Sequence, residues 1–186
     1  PAGYLLFFTG SAPLGDLDIG PALAVLTVVL CGTLASALAR IAVVGEEAGD
    51  LLASSPVGAS RVKRGKLLAS LVPALALGVP ISIGIIFQSP VAGVVALLLT
   101  IVTCVTVVLM RLWNPVTSAR RDVFKRTSMG DLVTALLEGF SPITWGIAAY
   151  LLATGSVWSV GFLVLSVALF GIAFARARAR GVDVAV

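Results

Sequence analysis

The residues of this chain that could do chemistry are few, and most of them lie in short polar segments between long apolar ones. The segment 45–66 contains three carboxylates, Glu46, Glu47 and Asp50, followed by several basic residues. The other candidate is Glu138, which stands in a largely apolar stretch with no second carboxylate placed for paired acid–base chemistry. An ionisable residue inside a membrane span is a functional candidate by default. The candidate functional features are therefore the polar segment 45–66 and the single carboxylate of Glu138.

Several kinds of site are excluded by composition. The 186 residues include no histidine, which removes His-ligated haem or zinc and His-dependent hydrolysis. Gly58 and Gly65 are farther apart than the glycines of a P-loop, and Leu67 stands where the Mg²⁺-binding Ser or Thr would be. Cys31 and Cys104 lie within apolar runs, where thiols behave as small hydrophobic groups. We expect no enzyme activity, metal site or cofactor in this chain.

The composition is that of a membrane protein. The chain is 59% hydrophobic and 12% charged, with a mean hydropathy of +1.09, whereas soluble domains are roughly 25% charged. Its apolar residues occur in runs of about 20, the length that crosses the hydrocarbon core as a helix. No alternating pattern of the kind required by a membrane barrel is present. These features predict an all-α, polytopic helical membrane protein.

Five complete spans are predicted, at 21–44, 67–87, 91–110, 131–154 and 157–175. Residues 1–8 read as the end of a sixth, preceding span, so we expect the given chain to be the later part of a longer polypeptide. Gln88-Ser89-Pro90 leaves room only for a tight hairpin between two spans. The spans are separated by a polar loop at 45–66 and a basic loop at 111–130.

The distribution of charge predicts the topology. All 13 Lys and Arg residues fall at Arg40 or in the segments 61–66, 111–126 and 176–180, which are alternate connections. The positive-inside rule therefore places these segments in the cytoplasm, with the N-terminus outside and the C-terminus inside. The excess of basic over acidic residues is explained by the membrane topology and by contact with anionic lipids. We therefore expect no nucleic-acid binding. The loop 111–130 is either a plain cytoplasmic loop or a contact for a partner or anionic lipid.

Two segments leave alternatives open. Pro73 and Pro80 are seven residues apart on nearly one face, which predicts a kinked or locally unwound helix. Such helices either line a substrate route or simply tolerate the kinks. In 131–154, Ser141-Pro142 could interrupt the helix. Either a straight span buries Glu138 in the membrane, or 131–139 lies on the surface and the span starts at Phe140.

The polar loop 45–66 contains a short predicted helix, Glu46–Ser54, that Ser55-Pro56 ends. This loop resembles the cytoplasmic loop of permease subunits of type-2 ATP-binding-cassette exporters, which holds the coupling helix that docks into the ATPase. The resemblance covers about 25 residues and departs from the family where Asp50-Leu51-Leu52 replaces Thr-Leu-Glu. The matching residues are Glu46, Glu47, Gly49, Leu51, Leu52, Ser55, Pro56, Val57, Gly65, Lys66, Leu67 and Leu68.

The resemblance implies a function and a set of partners. It implies an exporter permease whose partner is a separate ATPase subunit holding ATP and Mg²⁺, with a second permease copy or half, in a prokaryotic cytoplasmic membrane. Counting the partial span, the loop lies between the second and third of six spans, as in that family. The implied ATPase contacts are Glu46, Glu47, Asp50, Leu51, Leu52, Ser55 and Pro56. The alternatives are an ordinary solvated loop and a structural or assembly subunit that transports nothing.

Overall fold

The computed structural model describes residues 19–44, 59–113 and 129–179, and within these ranges the secondary structure is entirely helical. The helices are α1 (Ile19–Val44), α2 (Ala59–Gln88), α3 (Pro90–Trp113), α4 (Met129–Ala153) and α5 (Trp158–Ala179). All five are long and apolar enough to cross a membrane. The predicted class, an all-α protein with five membrane-length helices, is confirmed. The partial span at 1–8 lies outside the described residues. The side of the membrane on which each loop and terminus lies stays a prediction.

The helices pack around α3, which contacts each of the other four. The first helix packs against α2, α3 and α4, whereas α5 lies at the edge and contacts only α3 and α4 among the described helices. In the same part of the chain, α2 contacts α1 and α3 but neither α4 nor α5. The bundle therefore has a core of α1 and α3, with α2 on one flank and α4 and α5 on the other.

Small side chains on α1 allow this close packing. Lipid is as apolar as the side chains themselves, so helices in a membrane associate through tight contact more than through exclusion of water. A Cβ at Gly32 would lie 2.7 Å from Cγ2 of Thr103 and 3.1 Å from Cβ of Pro142, so α1, α3 and α4 meet at this glycine. Ala35 and Ala39 are also buried on α1. This face of small residues on α1 is therefore a packing surface.

A single residue joins α2 to α3, as the predicted hairpin requires. Ser89 accepts a hydrogen bond from the backbone N–H of Gly93, and Pro90 occupies the first helical position, where its missing N–H costs nothing. A Cβ at Gly93 would lie 2.4 Å from the backbone nitrogen of Ile86. Only glycine fits there without displacing the backbone of the neighbouring helix.

A glycine also ends α4. Gly155 has φ of 68°, and the N–H groups of Gly155 and Ser156 donate to the carbonyls of Leu152 and Leu151. This is the Schellman arrangement, which satisfies the last carbonyls of a helix and needs a residue that tolerates positive φ. The turn lets α5 fold back against α4 within a few residues.

The apolar runs locate the spans but not the ends of the helices. α2 begins at Ala59, before the predicted start at 67, because Arg and Lys are good helix formers even where they are too polar for lipid. The helical assignment continues through Pro73 and Pro80, so the local unwinding allowed by the sequence is not seen. α4 likewise continues through Pro142.

Candidate functional site

The residues implied as ATPase contacts cannot be placed. Glu46, Glu47, Asp50, Leu51, Leu52, Ser55 and Pro56 all lie outside the described residues, as does most of the basic loop 111–130. The end of the polar loop can be placed, because residues 59–66 form the first two turns of α2. Arg61 and Arg64 are exposed there. The polar segment therefore continues directly into a membrane-spanning helix.

The length of α2 distinguishes it from the other helices. Its 30 residues correspond to a rod of about 45 Å, whereas the hydrocarbon core is about 30 Å thick. Its membrane-length stretch runs from Arg64 to Gln88, so the first turn or more stands beyond that stretch. A displacement of the preceding segment would be transmitted along one continuous helix rather than absorbed in a loop.

A buried ion pair joins the end of α3 to the first half of α4. The guanidinium of Arg111, in the last turn of α3, donates a hydrogen bond to Oε2 of Glu138 on α4. The two residues are only 6% and 8% exposed. Because α4 is continuous from Met129 to Ala153, the interruption allowed at Ser141-Pro142 is not seen, and Glu138 is buried against α3. The depth of Glu138 in the membrane stays a prediction. The partner of Glu138 is a cation from the preceding helix.

From sequence, Arg111 was predicted to lie in the loop 111–130, and its pairing with Glu138 was not predicted. The apolar run ends at Met110, but the helix ends at Trp113. A usable indication was present in Asn114-Pro115, because a proline disfavours helical geometry in the residue before it. No such restriction applies to Arg111, so the helix could have been extended to include it.

The ion pair has unsatisfied groups. Nε of Arg111 and Oε1 of Glu138 are buried and have no hydrogen-bond partner in the described part of the chain. The hydroxyls of Thr100, Thr103 and Ser141 are also buried without a hydrogen-bond partner in the described part of the chain. The intramembrane hydroxyls of Ser70, Ser82 and Ser166, by contrast, donate to the carbonyl four residues earlier in their own helices. Unmet polar groups thus concentrate on α3 and α4.

Of these groups, Arg111 and Glu138 pair between α3 and α4, whereas Thr100 lies against Gly78 of α2 and Thr103 against Gly32 of α1. Thr100, Thr103 and Arg111 are three and eight residues apart on α3, which places them on one face. Glu138 and Ser141 are three apart on α4, again on one face. A buried polar contact of this kind fixes which helix faces meet, and removing one member leaves the other charged and unpaired. The arrangement suits a fixed contact between two helices.

An aromatic cluster beside the ion pair attaches α5. Trp113 is buried, and its ring centroid lies 5.5 Å from that of Phe170 and 5.3 Å from that of Phe174. These separations are typical of favourable tilted and edge-on aromatic pairs. The end of α3 is therefore held by charge to α4 and by aromatic packing to α5.

The remaining chemistry is limited. Among residues 19–44, 59–113 and 129–179, no group of three or more Cys, Asp or Glu side chains is placed to hold a metal ion. Cys31 and Cys104 are free, buried thiols in one apolar cluster.

Comparison with known proteins identifies no relative: no protein-family model, no curated protein and no solved structure matches this chain.

Proposed function

We propose that this chain is the transmembrane permease subunit of an ATP-driven exporter, with the segment 45–58 as the contact for a partner ATPase. The observation that carries the proposal is that residues 59–66, the basic end of the polar loop, form the first turns of the 30-residue helix α2. A short polar segment attached to a long, uninterrupted span is suited to receive a mechanical input at the membrane surface. The resemblance of residues 45–68 to the coupling loop of type-2 exporters names the source of that input.

The packing of the bundle supports a path by which a displacement of the segment 45–58 would reach the other helices. α2 contacts α1 and α3, and α1 is the other span joined to the segment 45–58. A push on this segment would act first on α1 and α2, and through them on α3. The ion pair between Arg111 and Glu138 would then transmit the movement of α3 to α4, or resist it. Closure of a nucleotide-bound ATPase dimer is the input that the proposal requires.

The competing hypothesis is a structural or assembly subunit that transports nothing. It is favoured by α5, most of whose side chains face outward while only a few, such as Ser166 and Ala173, are buried. A peripheral helix with an apolar outer surface is suited to pack against another membrane subunit. In this hypothesis the segment 45–58 is only a connection, and changing its charge has no ATP-linked effect.

The experiment is affinity purification of the chain from native membranes in mild detergent, followed by mass spectrometry of the co-purifying proteins. We expect a stoichiometric subunit with a P-loop, and we expect the variant Glu46→Lys/Glu47→Lys to lose it because basic partner residues would meet like charges. The matched control is Asp16→Lys/Asp18→Lys, which makes the same charge change on the side predicted to be external.

The outcomes separate the two hypotheses. Loss of the ATPase from the first variant and retention in the control support coupling through 45–58. Recovery of redox, photosynthetic or other non-ATPase subunits supports the assembly role and contradicts the permease proposal. Equal loss of the ATPase from both variants would show a general effect of charge and would also contradict it.

A further inference from the structure

A groove runs along the outer surface between α1 and α2. It has a volume of about 600 Å³ and is lined on α1 by residues between Leu23 and Ala37 and on α2 by Leu77 and Ile81. The α1 side extends over 15 residues, about 21 Å along the helix axis. One leaflet contributes roughly half of the 30 Å hydrocarbon core, or about 15 Å, so the groove is long enough for a whole acyl chain.

The lining is mainly hydrocarbon, and its other groups are the Cys31 thiol and two hydroxyls. The two hydroxyls in the groove, those of Thr27 and Thr33, donate to the carbonyls of Leu23 and Leu30 in their own helix. Neither hydroxyl therefore needs a polar group from an occupant. Leu26, Leu30 and Leu77 are about half exposed at the groove, which leaves their side chains to be covered by something apolar.

A cation stands at one end of the groove. Arg40 is exposed, and it lies seven residues after Thr33 and fourteen after Leu26. A separation of seven residues returns to within about 20° of the same helix face. Arg40 therefore extends the line of groove residues by one turn beyond Ala37, about 5 Å farther along the axis. It has no hydrogen bond or ion pair among the described residues.

We infer that this groove is a binding site for an anionic phospholipid, with one acyl chain between α1 and α2 and the phosphate group against Arg40. Charge complementarity selects this occupant, because an apolar helix from another subunit would gain nothing from the guanidinium. A long arginine side chain can extend to the phosphate level while its methylene groups lie on the helix. The inference is independent of the permease proposal, since a lipid can bind this groove in a transporter or in an assembly subunit.

The test uses the full chain in nanodiscs of mixed phosphatidylglycerol and phosphatidylcholine, followed by native mass spectrometry of the lipid retained after gentle release. We expect one retained lipid with a preference for phosphatidylglycerol. Arg40→Gln should reduce that preference about fivefold, the effect of one basic residue near a membrane surface. Ala37→Phe should fill the groove and release the lipid whatever its headgroup.

The control is Arg178→Gln, which removes an exposed arginine from α5, a helix that contacts neither α1 nor α2 among the described residues. We expect this variant to retain the lipid preference of the unmodified chain. An equal loss of the preference for phosphatidylglycerol in Arg40→Gln and Arg178→Gln would show a nonspecific electrostatic attraction of anionic lipid to the protein. That result would overturn the proposed site. Retention of a second copy of the chain with no lipid would show that protein fills the groove, and would also overturn it.

Discussion

Among the described residues, replacing Glu138 by leucine should destabilise the bundle more than a change of any single charged side chain other than its partner Arg111. The substitution leaves the guanidinium of Arg111 only 6% exposed, with no anion opposite. Removal of one partner of a buried ion pair typically costs about 3–5 kcal/mol. For a chain of this length, each kcal/mol lowers the unfolding temperature by roughly 2–4 °C, so we expect a decrease of roughly 10 °C.

The double variant Arg111→Leu/Glu138→Leu distinguishes pairing from loss of packing. Nε of Arg111 and Oε1 of Glu138 already lack partners in the described part of the chain, so the native pair is incompletely satisfied. Replacing both members of such a pair by apolar residues is often neutral or stabilising. We therefore expect the double variant to unfold within about 3 °C of the unmodified chain, close to 1 kcal/mol. Arg111→Leu alone should be as harmful as Glu138→Leu.

The assay is thermal unfolding in detergent followed by tryptophan fluorescence, for which Trp113 and Trp145 are buried reporters. Arg178→Leu is the control, because this arginine is exposed at the end of α5 and its loss should change stability by no more than about 0.5 kcal/mol. If the double variant is as unstable as the sum of the single variants, the two side chains do not interact and the reasoning is refuted.

Two further predictions concern packing inside the bundle. Gly93→Ala should destabilise by about 1–3 kcal/mol, because its Cβ would lie 2.4 Å from the backbone nitrogen of Ile86. Gly84→Ala, where a Cβ would meet nothing within 4 Å, should be neutral or stabilising by up to about 1 kcal/mol, and thermal unfolding of both variants in detergent compares them. Cys31 and Cys104, at most 3% exposed, should react with a maleimide only after denaturation in SDS. Rapid labelling in mild detergent would contradict their burial.

The spans could be predicted from sequence because hydrocarbon imposes a simple requirement. A helix that crosses lipid must be apolar over about 20 residues, and this pattern located all five described helices. The same pattern cannot locate helix ends that project beyond the lipid, which is why Ala59 and Trp113 were missed. Pro142 illustrates a second limit. Whether a proline breaks a membrane helix depends on the neighbours that support it, and these are tertiary information.

The buried ion pair could not be predicted for a related reason. Glu138 was recognised from its apolar surroundings, but its partner is 27 residues earlier in the chain. The pairing depends on the packing of α3 against α4, and on the helical phase that directs Arg111 toward that interface. One sequence, without aligned relatives, contains no direct record of such a contact.

The most direct test of the central claim is photo-crosslinking from the segment 45–58 in intact membranes. A photoreactive amino acid would replace Leu51, with the same substitution of Leu14, in the segment predicted to be external, as control. We expect a crosslink from position 51 to a P-loop ATPase subunit, and none from position 14. A crosslink from position 51 only to lipid or to a non-ATPase protein would contradict coupling through this segment.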